Sequence, residues 1–438
     1  MKKEVTLTMT QKQINRYHVI KNSIDGKVTV SEAAVALGVS ERQVTRLRNG
    51  VREEGAAFLI HKNKGRPSPR ATPTEEKQKI QELYQSDQYT GANFQHFSEL
   101  LSEHESISRS YSTIRNTLTE AGIESPKKRR RYKPHRRRKR KAQEGLLTQI
   151  DASPFEWFGG KAKYALHGGI DDATGKFAGA YMTKNECLLG YYEVMRQIVE
   201  RDGIPASAYS DRHAIFLSPK ADKLSVQEQL EGKVINDTQF GRAMKELGIT
   251  MIHARSPQAK GRIERLWETL QSRLVIEFRI RGINTVDAAN AFLAEYLPLF
   301  NEKFAVEPEL SEKVYTENTL DLDFVLCVKE KRVADKGGVF SFNGKLWKIT
   351  NDGLPGSKLD VEVIASPVKG ILVLYKGRVL DVLPYIRPKK ASPERKQHSR
   401  LGHHAHGKWE DSQPRYSFDL ADSEIRKMLE DVFLSKYA

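Results

Sequence analysis

The stretch Arg255-Ser-Pro-Gln-Ala-Lys-Gly-Arg-Ile-Glu264-Arg-Leu-Trp-Glu-Thr-Leu-Gln-Ser-Arg-Leu274 predicts the helix around which the largest domain is built. Pro257 and Gly261 mark where the chain enters this helix. Glu264 lies at the edge of its apolar face, so burial of that face would hold the carboxylate beside a core. A lone glutamate at such a boundary is most often an ordinary surface acid, and its partners have to come from elsewhere in the chain. The apolar face, read at helical spacing, consists of Ile263, Leu266, Trp267, Leu270 and Leu274.

The composition predicts several domains and a polyanionic partner. The chain has 438 residues, whereas a typical domain takes roughly 100–200. Its hydrophobic content of 39% is low but sufficient for packed cores, and its net charge is +16. The run KKRRRYKPHRRRKRK, Lys127–Lys141, holds 12 Lys or Arg residues, and removing those 12 charges from +16 leaves +4. The basic charge is therefore concentrated in one segment, as expected of a chain that binds nucleic acid.

Other features exclude secreted and membrane classes. The two cysteines, Cys187 and Cys327, are far apart, which fits a reducing compartment rather than a disulfide framework or a metal site. No apolar run is long enough to span a membrane, and Met1-Lys-Lys-Glu lacks the apolar core of a signal peptide. We therefore expect a soluble cytoplasmic protein.

Residues 1–57 predict a helix-turn-helix DNA-binding domain. Thr29-Val-Ser-Glu32 has capping-box form and opens a short helix that Gly38 ends, and Ser40-Glu-Arg-Gln43 opens the next helix. In a helix-turn-helix this second helix enters the DNA major groove. A small three-helix bundle without DNA binding is the alternative. The basic outward face favours DNA binding, with contacts from Arg42, Gln43, Arg46 and Arg48.

A basic linker, 58–73, and a second helical domain, 74–125, follow. The linker is rich in Pro, Gly and basic residues, and Arg66 within Gly65-Arg66-Pro67 resembles an arm that enters an AT-rich minor groove. A plain linker without groove contact is the alternative. The domain 74–125 predicts a helix-turn-helix-like unit in which Arg115 lies on an outward face and contacts DNA, the alternative being a helical spacer.

Residues 126–144 form a second basic linker. Runs of like charge are usually solvated tails, but this one joins two folded parts and can lie along DNA phosphates. Such contacts add salt-dependent affinity without sequence preference. Pro134 and the charge density argue against a stable helix in this linker. We expect phosphate contacts from Arg129, Arg130, Arg131, Arg136, Arg137 and Arg138.

From about residue 145 the pattern changes to short apolar strands separated by turns and amphipathic helices. Leu146–Asp151, Tyr164–Ile170 and Phe177–Met182 are strand candidates, and Asp171–Gly175 is a hairpin turn signal between the last two. The predicted order of elements is β-β-β-α-β-α-β-α. This order implies a mixed α/β sheet covered by helices.

Three acidic residues stand out by their positions in this pattern. Asp151 ends the first strand, Asp211 ends the fourth, and Glu264 lies on the helix quoted above. A right-handed crossover can place the first and fourth strands side by side, so that both aspartates meet at one sheet edge. A helix packed across that edge can present its glutamate to the same point. Carboxylates this close repel one another unless cations neutralise them, which predicts a catalytic metal site.

Oxygen ligands of this kind favour Mg²⁺ or Mn²⁺, with two ions per active site. Two such ions, roughly 3.5–4 Å apart, can activate an attacking water or 3′-hydroxyl and stabilise the leaving oxygen of a phosphodiester. In this arrangement Asp151 bridges both ions, Asp211 holds one of them, and Glu264 holds the other.

Four motifs surround these acids: Gln149–Trp157, Gly169–Thr174, Tyr209–His213 and Ser256–Arg265. Together they resemble the integrase-core, Asp-Asp-Glu transposases of bacterial insertion sequences (the ISNCY-like group), which are similar to retroviral integrases. The resemblance implies an RNase H-like catalytic core over residues 145–305. It also implies metal ligation by the residues that match the family's acids, Asp151, Asp211 and Glu264, and it assigns Asp171 and Asp172 as turn acids that are not ligands.

One departure from the family pattern is the separation of 53 residues between Asp211 and Glu264. It exceeds the family's commonest spacing, and we attribute the excess to a polar insert at 217–238. Lys260 and Arg262, just before the glutamate, are candidates for contact with phosphates of the transposon end. Their alternative, an ordinary basic surface where the helix begins, is equally open.

Residues 306–390 predict a small β-barrel domain. Phe342-Asn343-Gly344 is a strong hairpin signal within this region. Residues 391–438 predict a flexible tail with a short C-terminal helix, Ser423–Leu434, that docks on a neighbouring subunit. The five strand candidates of the barrel are Phe324–Val328, Val339–Phe342, Lys345–Ile349, Leu359–Ile364 and Ile371–Tyr375.

The sequence thus predicts a multidomain transposase with N-terminal all-α helix-turn-helix units, a central α/β RNase H-like core and a C-terminal small β-barrel. It would bind double-stranded DNA at terminal inverted repeats, cleave the ends and join the 3′-OH to target DNA. Two ends must be joined together, so we expect a dimer or larger assembly on DNA and no membrane partner. The alternatives are a domesticated DNA-binding regulator with an inactive core, which the three acids disfavour, and a stand-alone RNase H-like nuclease, which the flanking domains disfavour.

Overall fold

The computed structural model describes residues 7–61, 71–127, 138–218, 237–254, 261–351, 357–386, 427–429 and 431–436. The chain divides into two compact units, Met1–Lys79 and Ile80–Ala438, which are described separately. Most of the insert 217–238 and of the tail 391–438 lies outside the described residues. So do these predicted DNA contacts: Arg66, Arg129, Arg130, Arg131, Arg136, Arg137 and Lys260.

The first unit contains the predicted helix-turn-helix. The capping box of Thr29 and Glu32 is present with both reciprocal hydrogen bonds, and Gly38 ends the second helix in the left-handed conformation. The third helix begins where the Ser40 hydroxyl accepts a hydrogen bond from the Gln43 N–H at 3.3 Å. The elements are α1 (Gln11–Ile24), α2 (Val30–Leu37), α3 (Glu41–Glu54) and a 3₁₀ turn (Gly55–Leu59).

Three helices form the predicted second helical domain, and they share one apolar core. Asn93 and Ser110 cap the second and third of them through side-chain oxygens that accept backbone N–H groups. Ile114 and Leu118 point inward from the third helix, as predicted. The helices are α4 (Thr74–Gln85), α5 (Phe94–His104) and α6 (Tyr111–Glu120).

A five-stranded mixed sheet forms the centre of the second unit. The strands are β1 (Thr148–Phe155), β2 (Tyr164–Asp171), β3 (Phe177–Thr183), β4 (Ser207–Ser210) and β5 (Thr250–His253). Their order is β3-β2-β1-β4-β5, with antiparallel pairing from β1 to β3 and parallel pairing from β1 through β4 to β5. The first and fourth strands are therefore neighbours, as predicted.

Four helices surround this sheet, and the helix that carries Glu264 is one of them. They are α7 (Leu188–Arg201), α8 (Gln239–Glu246), α9 (Gly261–Ile280) and α10 (Val286–Phe304). The description of α9 begins at Gly261, because residues 255–260 lie outside the described part of the chain. The predicted apolar face of α9 is buried in full: Ile263, Leu266, Trp267, Leu270 and Leu274.

Two adjacent glycines of β2 let helices approach the sheet closely on both faces. A Cβ at Gly168 would lie 2.6 Å from the Trp267 ring of α9, and a Cβ at Gly169 would lie 2.9 Å from Ile198 of α7. Successive residues of a strand face opposite sides of the sheet, so each glycine opens a gap on one face. The two helices consequently pack directly onto the strand backbone.

Amide side chains cover the open edge of β3. The Asn301 side chain of α10 forms hydrogen bonds with both the N–H and the C=O of Phe177, at 2.7 and 2.9 Å. The Asn290 side chain of the same helix bonds the N–H and the C=O of Met182 at 2.7 and 3.0 Å. Gln197 of α7 does the same at Ala180, with both distances 2.9 Å. An uncovered strand edge invites pairing with another chain. These amides therefore close the sheet at this side.

The C-terminal β region differs from the single closed barrel that was predicted. Its described strands form two antiparallel sheets, ordered β11-β10-β9-β6 and β12-β8-β7, whose inward side chains join the same apolar cluster as α7 and α8. The elements are α11 (Leu322–Val325), β6 (Val328–Ala334), β7 (Val339–Phe342), β8 (Lys345–Ile349), β9 (Leu359–Ser366), β10 (Gly370–Tyr375), β11 (Arg378–Leu380) and β12 (Val382–Tyr385).

The strand predicted at Phe324–Val328 is wrong except at its last residue, Val328. The Asp321 side chain accepts a hydrogen bond from the Asp323 N–H at 2.9 Å and starts a helical turn there, so the strand begins only at Val328. The hairpin predicted at Asn343-Gly344 is confirmed. Both residues have positive φ, 47° and 72°, as a tight two-residue hairpin turn requires.

The described C-terminal helical residues pack on their own chain, and docking of this helix on a neighbouring subunit stays a prediction. They end in a π-helical turn, Val432–Lys436. The Phe433 ring lies 6.4 Å from the ring of Tyr192 on α7, and Val432 is fully buried beside it. This segment therefore completes the apolar cluster that the core shares with the β region.

Replacing Gly168 with alanine tests the close approach of α9 to the sheet. The new Cβ meets Trp267 at 2.6 Å and Phe177 at 2.9 Å, so one of these rings has to move. Overpacking of this kind destabilises a core by about 1–3 kcal/mol. Urea unfolding should show that loss for Gly168→Ala. The control Gly160→Ala adds a Cβ in open space and should leave the free energy of unfolding unchanged.

Candidate active site and DNA-binding surface

The two predicted aspartates occupy equivalent positions on adjacent parallel strands. β1 pairs with β4 so that Thr148 faces Ala208 and Gln149 faces Tyr209. Continuing this register by two residues brings Asp151 opposite Asp211. Asp151 lies inside β1, which runs on to Phe155, and not at the strand end as predicted, whereas Asp211 directly follows β4. Neighbouring strands lie about 4.8 Å apart, so the two side chains leave the same face of the sheet side by side. Both side chains are half-buried.

Helix α9 runs alongside β1 and holds Asp151 in place. The Trp267 indole Nε1–H donates to Asp151 Oδ2 at 3.1 Å, and one turn later Gln271 Nε2 donates to Ser153 Oγ at 3.0 Å. Glu264 precedes Trp267 by three residues and is exposed. Residues three apart share one helix face, so Glu264 lies on the turn next to the tryptophan that contacts Asp151.

Asp211 has its own fixed geometry. Its Oδ1 accepts a hydrogen bond from the His213 N–H at 2.9 Å, which orients the carboxylate within the turn that follows β4. The His213 Nδ1 accepts a hydrogen bond from the Ile215 N–H at 3.4 Å, so this histidine bonds the backbone of its own turn. Within the described residues, no three His, Cys, Asp or Glu side chains form a group that could hold a metal ion. Ligation by Glu264 stays a prediction.

A fourth acid, Glu186, lies near this pair and was not identified from the sequence. It accepts a hydrogen bond from the Tyr191 hydroxyl at 2.6 Å. Burial raises its pKa, and the charges of Asp151 and Asp211 raise it further. It lies between β3 and α7 in a polar stretch, Thr183–Glu186. A search of the sequence for acidic residues that follow predicted strands would have identified it.

Asp171 and Asp172 are structural residues of the turn after β2, consistent with their predicted role as turn acids. Asp171 accepts hydrogen bonds from the Gly145 N–H and from the N–H and hydroxyl of Thr174, at 2.8–2.9 Å. Burial nevertheless raises its pKa. Asp172 is fully buried and binds a set of donors from three segments: Gln149 Nε2 at 2.7 Å, the Lys141 N–H at 2.9 Å, Arg262 Nε at 2.7 Å, and Arg138.

Arg138 and Arg262 were both predicted to contact DNA, but in the structure both bind the buried carboxylate of Asp172. The Arg262 side chain is 13% exposed and the Arg138 side chain 44% exposed. Arg140 joins this group by donating to the Ala173 carbonyl at 3.1 Å. The contacts tie the end of the second basic linker to the first turn of α9, next to Glu264.

The outward face of α3 carries the candidate base-reading residues of the first unit. Arg42 and Arg46 are exposed, whereas Gln43 and Arg48 are half-buried. The Arg48 Nε is buried without a hydrogen-bond partner among the described residues. A shallow depression between α3 and the following 3₁₀ turn is lined by Arg42, Thr45, Arg46, Asn49, Gly50, Glu53 and Phe58. In the second helical domain, Arg115 is exposed on α6.

Comparisons with known proteins bear on both regions. Residues 16–77 match the family described as "Winged helix-turn helix". The transposase for insertion sequence IS1202 of Streptococcus pneumoniae is 35% identical over 373 residues, which cover 78% of this chain and 79% of that protein. A putative transposase, y4bF, of Sinorhizobium fredii is 34% identical over 340 residues, covering 77% and 72%.

The chain belongs to the family of insertion-sequence transposases.

This transposase family assignment confirms the resemblance inferred from the four motifs. The helix-turn-helix match begins inside α1, includes α2 and α3, and ends in the first turn of α4. A solved intasome of simian T-cell lymphotropic virus with the PP2A regulatory subunit B56 gamma also matches, at 14% identity and a TM-score of 0.30, over 66% of this chain and 92% of that one. That TM-score is too low to support a conclusion. Among the described residues, none of the helices combines the length and apolarity that crossing a membrane requires.

Removing the Asp172 carboxylate tests its role as a structural anchor of this transposase. In Asp172→Ala the Arg262 guanidinium, which is largely buried, loses its charged partner. Breaking a buried ion pair from one side costs about 3–5 kcal/mol, so urea denaturation should show a loss of that size. Asp360→Ala, at an exposed position of β9, is the matched control. An unchanged midpoint for Asp172→Ala would contradict the anchoring role.

Proposed function

We propose that the protein is a DNA transposase that binds the terminal inverted repeats of its element, cleaves DNA at the ends and joins the 3′-OH to target DNA. The observation that carries this proposal is the in-register pair of Asp151 and Asp211, with Glu264 on the helix turn beside them. The sheet order β3-β2-β1-β4-β5, with helices on both faces, supports an RNase H-like core.

The residues at this sheet edge fit divalent cations by their chemistry. Asp151, Asp211 and Glu264 offer only carboxylate oxygens, the ligands preferred by Mg²⁺ and Mn²⁺. Burial raises the pKa of Glu186, the Tyr191 hydrogen bond and the charge of His213 lower it, and the charges of Asp151 and Asp211 raise it. A cation is the natural means of relieving such repulsion. We propose that Asp151, Asp211 and Glu264 would hold these ions, which would supply Lewis-acid catalysis.

The protein's own residues define how the reaction would proceed. The Trp267 indole orients Asp151, and the backbone N–H of His213 orients Asp211, so both carboxylates are fixed before DNA arrives. Bound ions would activate the attacking oxygen and stabilise the leaving 3′-oxygen. Water attacks in the cleavage step, and the freed 3′-OH attacks target DNA in the joining step. No side-chain nucleophile is required.

DNA recognition is assigned to the helical domains. The exposed Arg42 and Arg46 of α3 have the geometry of side chains that read base edges in the major groove. Arg115 and the basic linkers would contact phosphates and add affinity without sequence preference. Because two element ends have to be cut and joined together, we propose that the chain works as a dimer or larger assembly on DNA.

Replacing Glu264 with glutamine tests the active site. The amide keeps the size of the side chain but removes its charge, so Mg²⁺-dependent nicking and strand transfer on DNA carrying the element's ends should fall by about 100-fold or more. Binding of the ends should persist. Glu268→Gln, one turn later on α9 and equally exposed, should retain activity. The proposal fails if purified protein binds the ends but shows no metal-dependent cleavage or joining that Glu264→Gln abolishes.

Alanine replacement on α3 tests base reading by the first unit. Arg42→Ala or Arg46→Ala should weaken binding of the element's end by about 1–3 kcal/mol and relax sequence preference at the contacted base pair. Arg52→Ala, an exposed arginine in the last turn of the same helix, should change affinity without changing preference. Competition binding with single base-pair substitutions in the end measures both quantities. Equal loss for all sequences would assign Arg42 and Arg46 to phosphate contacts.

A further inference from the structure

Helix α9 belongs to two hydrophobic cores at once. Its first half packs on the catalytic sheet through residues such as Ile263 and Trp267. In its second half, Leu274 and Phe278 stay in this sheet core, whereas Ile276 lies in the core formed by α4, α5 and α6, with Ile280 against it. At 1.5 Å per residue, Glu264 and Ile276 are separated by about 18 Å along one continuous helix.

A buried ion pair joins α9 to α5 at this interface. The Arg273 guanidinium forms two hydrogen bonds with the Glu99 carboxylate, at 2.6 and 3.2 Å, and the two side chains are 7% and 17% exposed. Lys303 of α10 also reaches Glu99, at 2.7 Å. The guanidinium stacks over the Phe304 ring at 4.8 Å. Two-point contacts of this kind fix orientation as well as distance.

Further polar contacts surround this pair. His96 Nε2 lies 2.9 Å from Glu277 Oε1, and both side chains are buried. The Arg279 guanidinium donates to the carbonyls of Asp87 and Thr90, at 3.2 and 2.7 Å, in the loop between α4 and α5. Burial raises the pKa of Glu99, but hydrogen bonds from Arg273, Lys303 and Gln95 outweigh it and lower the pKa to about 2. We call the four residues Glu99, Arg273, His96 and Glu277 the α5–α9 clamp.

The clamp connects a DNA-facing helix to the catalytic helix. Ile114 and Leu118 of α6 are fully buried in the same core that receives Ile276. On the other face of α6, Arg115 and Asn116 are exposed. The exposed face of α6 and the first turn of α9 are thus parts of one packed body, in which buried charge pairs resist sliding or rotation of the interface.

We propose that the α5–α9 clamp positions the DNA gripped by the second helical domain relative to Asp151, Asp211 and Glu264 of the same chain, and so sets which phosphodiester bond is cut. This inference rests on the proposed function. The clamp residues are positioning residues, since they lie well away from the reacting atoms.

Three variants of the full-length protein separate positioning from folding. Glu99→Ala leaves Arg273 without its main partner. Glu99→Leu combined with Arg273→Met replaces the ion pair by apolar side chains of similar size, which commonly preserves packing. Glu295→Ala, on the exposed face of α10, is the control for loss of a carboxylate outside the interface.

The first readout is the position of the cut, mapped at single-nucleotide resolution on end DNA with Mg²⁺. Glu99→Ala should bind the ends within about threefold of wild type, yet cut at least tenfold more slowly and at several neighbouring bonds. The double variant Glu99→Leu, Arg273→Met should restore cleavage at a single bond. Glu295→Ala should cut at the same bond and rate as wild type. Cutting by Glu99→Ala at the wild-type bond and rate would overturn the proposal, as would a double variant that folds, binds the ends and still cuts imprecisely.

A hydroxyl-radical footprint without metal gives a second, independent readout. Wild type should protect one continuous stretch from the α6 site to the cleavage site. Glu99→Ala should keep protection at the α6 site and lose it towards the cleavage site. If wild type does not cleave, the proposed function fails while the footprint still decides whether the clamp orients DNA. An unchanged footprint in Glu99→Ala would overturn the clamp.

Discussion

The contact of Trp267 with the sheet is the constraint on which the candidate site depends. The indole fits over β2 only because Gly168 has no side chain, and from there its N–H reaches Asp151 at 3.1 Å. The same ring fixes the height of α9 above the sheet, and with it the place of Glu264 one turn earlier. Because Gly169 opens the opposite face to α7, the sheet is held between two helices at the level of the carboxylates. A single Gly-Gly pair thus supports both the packing of the core and the geometry of the site.

The acids of this region divide into two classes by their surroundings. Asp172 is fully buried and neutralised by arginines from two segments, which makes it a structural anchor. Asp151, inside β1, and Asp211, directly after β4, stay half-buried and so remain partly open to solvent. Glu186 stands close enough for their charges to raise its pKa, in addition to the effect of its burial. Burial and counter-charge, rather than residue type, separate the acids that hold the fold from those available for chemistry.

Much of this architecture could be predicted because it is encoded in local patterns. Capping oxygens, turn glycines and helical spacing predicted the helix-turn-helix, the β2–β3 hairpin and the apolar face of α9, since these signals act over a few residues. Predictions failed where distant residues decide the outcome. Asp321 converts the start of a predicted strand into a helical turn, and the β region forms two sheets whose curvature no single strand encodes. The amides that cover β3 and the position of Glu186 depend on partners far away in sequence.

The sequence by itself determined the helix-turn-helix of the first unit, the order of strands and helices in the core, the apolar face of α9 and the family to which the motifs belong. These follow from residue type and spacing, which are written along the chain. Only the tertiary structure decided that α9 is shared between two cores, that Arg273 and Glu99 join them, and that Asp172 binds arginines predicted to contact DNA. The physical reason is that the sequence shows where a charged side chain occurs but not whether it contacts water, DNA or a buried carboxylate. The interaction partner of such a side chain depends on how apolar faces from distant parts of the chain pack together.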